Sequence, residues 1–236
     1  MATGQLFDFP FGVPLLARVS RLLESNDVPN VLWGNFLVTI YGVPSLSNDI
    51  AFAVPNDKVS AARATLCRTD LKECNAECYV MDPFRTHPHP AVHFHLHNHD
   101  LYISIYPQSQ VLPNLPNLTK SIADVISAAD PSLPSPQVGY GSGALPPKYA
   151  FVRIPSPSCF TEACLINVSR LARKSDLGEV HYLCLVTYMV EYVDDRGSFK
   201  LDSLKRVFQD FINEAFNGSD GDAFINAKKK FYALDL

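Results

Sequence analysis

Apolar residues recur at helical spacing near the start of the chain. Leu15, Leu16, Val19, Leu22 and Leu23 predict a helix over 13–25. Val31-Leu32-Trp33 reads as a short buried strand or turn. Phe36, Leu37, Ile40 and Tyr41 then mark the apolar face of a helix after Gly34. Ile50 to Val54 is an apolar strand ended by Pro55. Asn56 or Asp57 caps a helix with Val59, Ala62 and Leu66 inward. Tyr79-Val80-Met81 is a further candidate strand. Residues 91–106 alternate cleanly and form the clearest strand region. This alternation of helix and strand to about residue 106 predicts an α/β (α+β) unit with a small mixed sheet.

The pattern then changes. Residues 107–147 hold eight of the eighteen prolines. One helical island is predicted at about 119–129, with Ile122, Val125 and Ile126 in a stripe. Gly139-Tyr140-Gly141-Ser142-Gly143 is not a phosphate loop, because Pro146-Pro147 follows where a helix should begin. The segment reads as a mobile connection or a lid over a pocket. The remainder predicts helices. Ser156 caps one, with Pro157 in its first turn and Phe160, Ala163, Cys164, Val168 and Leu171 on one face. Residues 179–193 are apolar nearly all round, as in a central helix. Leu201, Leu204, Val207, Phe208, Phe211, Ile212 and Ala215 define an amphipathic helix, and a short one follows at about 223–233. The expected organisation is an α/β domain over 1–106, a Pro-rich connection over 107–147 and a helical domain over 148–236. The cleft between the halves is the default pocket. Its expected rim is Gly34, Asn35, Asp49 and the histidine-bearing strand described below.

Composition narrows the functional classes. A hydrophobic fraction of 47% in 236 residues is that of a globular protein with a real core. A formal charge of −4 gives no electrostatic case for a nucleic-acid or membrane partner. The run Lys228-Lys229-Lys230 reads as a solvated helix face. No stretch of 18 or more apolar residues predicts a membrane span. The N-terminus lacks a basic start and carries Asp8, so a cytoplasmic location is expected and the sequons at Asn117, Asn167 and Asn217 are expected to be silent. Cys67, Cys74, Cys78, Cys159, Cys164 and Cys184 read as small core residues or free thiols. Cys74 and Cys78, with Cys67 upstream, would make half a zinc site, but no second CxxC pair completes it.

Leu32-Trp33-Gly34-Asn35 opens a helical stretch, and Asn48-Asp49-Ile50-Ala51-Phe52-Ala53-Val54 follows as a strand. That order resembles the nucleotidyltransferase-fold superfamily over roughly residues 13–106. It is similar to a group of fungal hypothetical proteins that share a LWG…D pattern and a helical C-terminal part. The resemblance implies a nucleotidyltransferase-like mixed sheet. In that family a Gly-Gly or Gly-Ser turn starts the helix, and the next strand carries two acids one residue apart. Strand residues i and i+2 share a face, so both acids hold Mg²⁺ on the nucleotide phosphates. Asp49 matches the first acid, and the second falls at Ala51. Asn35 stands where a small residue lets the backbone approach the phosphates. Asp100, before Leu101 to Ile105, is the candidate third acid. The resemblance thus implies a degenerate active-site motif. Such a protein would hold a small-molecule ligand or a protein partner in the cleft, or catalyse a reaction without the two-metal clamp. The alternative is an active Mg²⁺-dependent nucleotidyltransferase, with Asp49 and Asp100 catalytic and Gly34 and Asn35 at the bound ATP.

A third possibility comes from composition. Six of the seven histidines fall between His87 and His99. His93, His95, His97 and His99 alternate with Val92, Phe94, Leu96 and Asn98, which places the imidazoles on one strand face. Histidines two apart on a strand can share an ion such as Zn²⁺, so His93, His95 and His97 are candidate metal ligands of a metal- or histidine-dependent enzyme. A polar face that happens to use histidine competes with that assignment. Neither G-x-S-x-G nor H-E-x-x-H occurs. His181 beside Tyr182 reads as a hydrogen-bonded core residue.

Overall fold

The structure is a computed structural model that describes residues 6, 9–74, 78–81, 86–96, 100–115, 118, 124–138, 141–172, 178–193, 199–216 and 221–234. One of its interior strands is β2 (Asp49–Val54), buried at every position except Asp49. Such a strand needs neighbours on both edges. It pairs in parallel with β5 (Tyr102–Pro107), Asp49 opposite Tyr102 and Ala51 opposite Ser104. On its other edge β1 (Val31–Trp33) runs antiparallel, with Trp33 opposite Ala51. Next to β5 lies β4 (Val92–His95), with His93 opposite Ser104 and His95 opposite Tyr102. The two-residue β3 (Lys72–Glu73) closes that edge, so the order is β1-β2-β5-β4-β3. This is the expected mixed α+β architecture with a helical C-terminal part.

Strand periodicity gives the sheet two chemically different faces. Ile50, Phe52, Val54, Phe94, Ile103 and Ile105 occupy one and are fully buried. In the same core are α1 (Val13–Glu24) and α3 (Val59–Cys67), with α3 packed on β5 and α1 on α3. The opposite face carries Trp33, Asp49, Ala51, His93, His95, Tyr102, Ser104 and Tyr106. It looks toward α6 (Gly178–Tyr188), whose His181 and Tyr182 rings lie 6.1 and 6.4 Å from Trp33.

Several elements depart from their sequence patterns. Tyr79–Met81 forms a 3-10 turn instead of a strand. The alternating region 91–106 is two strands, β4 and β5, paired as a hairpin. Asn56 does not cap α3 with its side chain. Its amide clamps Ser109 instead, through contacts of 2.8 and 3.1 Å that tie the β2–α3 turn to α4 (Gln108–Val111). Val125 and Ile126 lie in β6 (Val125–Ser127), paired with β7 (Arg153–Pro155), where a helical island was expected. Their β-branched side chains suit a pleated ribbon better than a short helix. Residues 119–123 of that island lie outside the described residues.

The described part of 107–147 is fastened to the body. Val111, Leu112, Leu115, Leu133 and Leu145 are buried. Gly141 N–H donates to Gly42 O and Gly143 N–H to Thr39 O, at 3.2 and 3.1 Å. A Cβ on Gly141 would come within 2.2 Å of Thr39 O, so only glycine allows this approach to α2 (Gly34–Ile40).

The C-terminal helices begin as expected. Ser156 Oγ accepts the Cys159 N–H at 3.2 Å, and Pro157 opens α5 (Pro157–Ala172). Asn167 is buried in α5 and donates to Val111 O, which shields that sequon. α6 is not the all-round buried helix its sequence suggests. It buries His181, Tyr182, Leu185 and Val186, leaves Val180 and Cys184 exposed, and runs into a π-helical turn over Met189–Val193. α7 (Arg206–Phe216) and α8 (Gly221–Tyr232) meet through stacked Phe211 and Phe231, 4.3 Å apart. No helix among the described residues is long and apolar enough to cross a membrane.

Buried side chains from Leu6 to Phe231 form one contiguous cluster. Tyr41 is the polar tie within it. Its ring lies 5.7 Å from Phe160, and its hydroxyl donates to Pro155 O at 2.6 Å. Complete burial holds its phenol well above the ordinary tyrosine range. Tyr41→Phe leaves Pro155 O buried without its donor, so it should destabilise the fold by about 1–3 kcal/mol. Chemical denaturation of the two proteins measures this, with an unchanged slope and a lower midpoint expected.

Candidate functional site

The site is built around one turn. After Trp33 the chain passes through Gly34 at φ 77° and enters α2. A Cβ there would meet Ala51 Cβ at 3.6 Å, an ordinary contact. Glycine is therefore demanded by the backbone angle and not by lack of space. Beneath it Ala51 is buried, and two residues earlier on the same face Asp49 reaches the surface half-buried. Ser47 fixes its backbone, with Ser47 Oγ donating to Asp49 O at 2.7 Å.

These residues open onto a cleft of about 420 Å³. Gly34, Asn35, Asn48 and Asp49 line one side, and Trp33, Tyr102 and Tyr106 contribute the sheet. Tyr79, His87 and His181 complete it. Each of these side chains is braced. Trp33 and Tyr106 rings lie 5.0 Å apart, and Tyr106 OH donates to Pro88 O, which fixes the segment bearing His87. His87 and His181 rings are 4.1 Å apart. Tyr79 packs edge-on to Tyr102 at 5.6 Å, and its hydroxyl donates to Asp100 O at 3.1 Å. The Trp33 Nε1–H is buried and finds no acceptor among the described residues.

Gly34, Asn35 and Asp49 thus line the cleft together, as the sequence suggested. Asp100 is not brought to them. It sits exposed in the turn ahead of β5, and the β5 residues beside Asp49 and Ala51 are Tyr102 and Ser104. Asp49 is the one carboxylate among the described lining residues. The described part of 107–147, expected as a roof, contributes no lining residue to this cleft.

The aromatic lining escaped sequence reasoning. Tyr102 and Tyr106 stand on the Asp49 face only because of the β2–β5 register. His87 and His181 meet only because α6 folds back on β1. No local signal pairs them.

His93 and His95 share a face, as expected, but neither lines the cleft; they stand near the β3 edge, with the His95 ring 6.2 Å from those of Tyr79 and Tyr102. There they meet Cys74 and Cys78, and the four donor atoms lie within 4.8 Å of one another. His97 lies outside the described residues. Cys159 and Cys164 are poor nucleophiles. Burial, then Asp124 and Glu162, pushes the Cys159 thiol up to about 12, and burial raises Cys164 strongly too.

Gly34→Ala forces an L-residue into the left-handed region and should lower stability by about 1–2 kcal/mol. Gly34→Val should cost more, because its branched Cβ is worse there. Melting curves of the two variants check both the sign and the order.

The chain matches no family model, no curated protein and no solved structure in these comparisons.

Proposed function

We propose that this chain is a degenerate nucleotidyltransferase-like protein that holds a small planar ligand in the Trp33–His181 cleft without a two-metal clamp. Asp49 as the one carboxylate among the described lining residues carries this proposal. Mg²⁺ takes near-octahedral oxygen coordination, and in-line nucleotidyl transfer uses two such ions. Asp49 alone cannot hold them, because Ala51, Tyr102 and Ser104 occupy the neighbouring positions on its face.

The lining suits a different task. Tyr79 presents ring surface to a flat group, above a floor of Trp33, Tyr102 and Tyr106, which are nearly fully buried. Asp49 accepts hydrogen bonds from, or pairs with a positive charge on, the ligand edge. A nucleobase or similar heterocycle meets both demands. The Gly34 turn ahead of an Asp49-bearing strand supports descent from a nucleotide-handling cleft.

Trp33 is the chain's one tryptophan, so its fluorescence reports the cleft directly. Titration with nucleosides should quench or shift its emission. Adding a triphosphate and Mg²⁺ should not tighten binding. Asp49→Asn should weaken nucleoside binding roughly tenfold or more, as loss of a charge-assisted hydrogen bond does. Micromolar, Mg²⁺-dependent affinity for a nucleoside triphosphate, abolished by Asp49→Asn, would overturn the degenerate assignment. Ala51→Asp should not create transferase activity, because Asn35 still occupies the turn and the new carboxylate is buried under Gly34.

A further inference from the structure

The thiol–imidazole cluster at the far end of the sheet belongs to no part of the cleft. We propose that Cys74, Cys78, His93 and His95 are the four ligands of a structural zinc site. The proposal holds whatever the cleft binds.

Geometry is the first support. Around a tetrahedral zinc with bonds of about 2.0–2.3 Å, donor atoms lie roughly 3.3–3.8 Å apart. Here all four donor atoms fall within 4.8 Å of one another, and Cys78 Sγ is 3.2 Å from His93 Nε2. Side-chain adjustments of about an ångström close that set on an ion. Backbone pairing aims the donors. Cys74 N–H donates to His93 O at 3.0 Å, so Cys74 continues the β3 ladder opposite His93. His95 follows at i+2 on the same face, and Cys78 comes in on the turn leading to Tyr79–Met81.

Donor chemistry selects the metal. Two thiolates and two imidazoles suit zinc, whereas Mg²⁺ and Ca²⁺ take oxygen. The nearby acid, Glu73, is engaged elsewhere by Arg63 at 2.7 Å. Cys67, which precedes the pair in sequence, turns to Glu73 at 3.6 Å and stays outside the cluster.

Four protein ligands leave no open coordination position, so the role is structural and not catalytic. His93 is buried and the other three are half-buried. The need for such a staple is local. β3 is two residues long and forms the sheet edge, and a pair of this length has little stability of its own. The ion would pin β3 and the Tyr79–Met81 turn to β4. It would thereby fix Tyr79, which follows Cys78, packs at 6.2 Å from His95 and lines the cleft.

The test uses the full chain, produced without an affinity tag in zinc-supplemented medium. Elemental analysis should find about one zinc per chain, the stoichiometry of one closed four-ligand site. The double variant Cys74→Ser/Cys78→Ser should lose it, and Cys184→Ser, which changes an exposed thiol outside the cluster, should keep it. Native alkylation of the unaltered protein, read by peptide mass spectrometry, tests the same ligands without relying on a variant that folds. Cys74 and Cys78 should resist alkylation until a strong zinc chelator is added, whereas Cys184 reacts with or without it. Chelation should also lower the melting temperature. Zinc well below one per chain, zinc retained by the double variant, alkylation of Cys74 and Cys78 indifferent to chelator, or a Cys74–Cys78 disulfide would each overturn the proposal.

Discussion

Everything on the polar side of this protein depends on the parallel pairing of β2 with β5. Six consecutive residues of each strand meet, Asp49 to Val54 against Tyr102 to Pro107. Side chains alternate between faces, so a slip of one residue would turn a strand over. Ile103 and Ile105 would then face the cleft, and Tyr102, Ser104 and Tyr106 would enter the apolar core. The register is held because both sets are buried and cannot exchange. Ile103 and Ile105 are fully buried among aliphatic neighbours, while Tyr106 finds Trp33 and the Pro88 carbonyl.

From that register the polar face divides into two ends with different chemistry. Near β1 it meets the Gly34 turn and α6, which leaves a cleft walled by rings, with Asp49 the one acid among its described residues. Near β3 it carries imidazoles, and the cysteines of a short edge strand and its following turn complete a compact donor set. Tyr79 connects the two ends. It touches His95 on one side and Tyr102 on the other, so the stiffness of the β3 edge bears on the shape of the cleft. The metal proposed at one end and the ligand proposed at the other are thus linked through the rings of Tyr79 and Tyr102, both beside His95.

The C-terminal helices contribute by burial and by one wall. Tyr41 anchors the end of α2 to β7, and Trp33 meets His181 and Tyr182 of α6. A helix as apolar as α6 would be expected at the centre of a bundle. It leaves Val180 and Cys184 exposed instead, because only the flank that meets α5 and the Trp33 ring is covered. Composition measures how much a helix could bury, and the neighbours decide how much it does.

The sequence by itself determined the order of elements from α1 to α3, the mixed class, the Ser156-Pro157 helix start and the pairing of Gly34 with Asp49. Those features rest on local periodicity, caps and backbone freedom, which act over a few residues. It also showed both halves of the cysteine–histidine cluster, one as Cys74-x3-Cys78 and one as His93-x-His95, without joining them. Only tertiary structure decided that they meet, because the β3–β4 pairing is a long-range contact. The same holds for His87 with His181, for Tyr102 beside Asp49 in the place of a third acid, and for Val125 and Ile126 finding a strand partner in β7. In each case a side chain's chemistry was visible along the chain, and its neighbour was chosen by packing between segments distant in sequence.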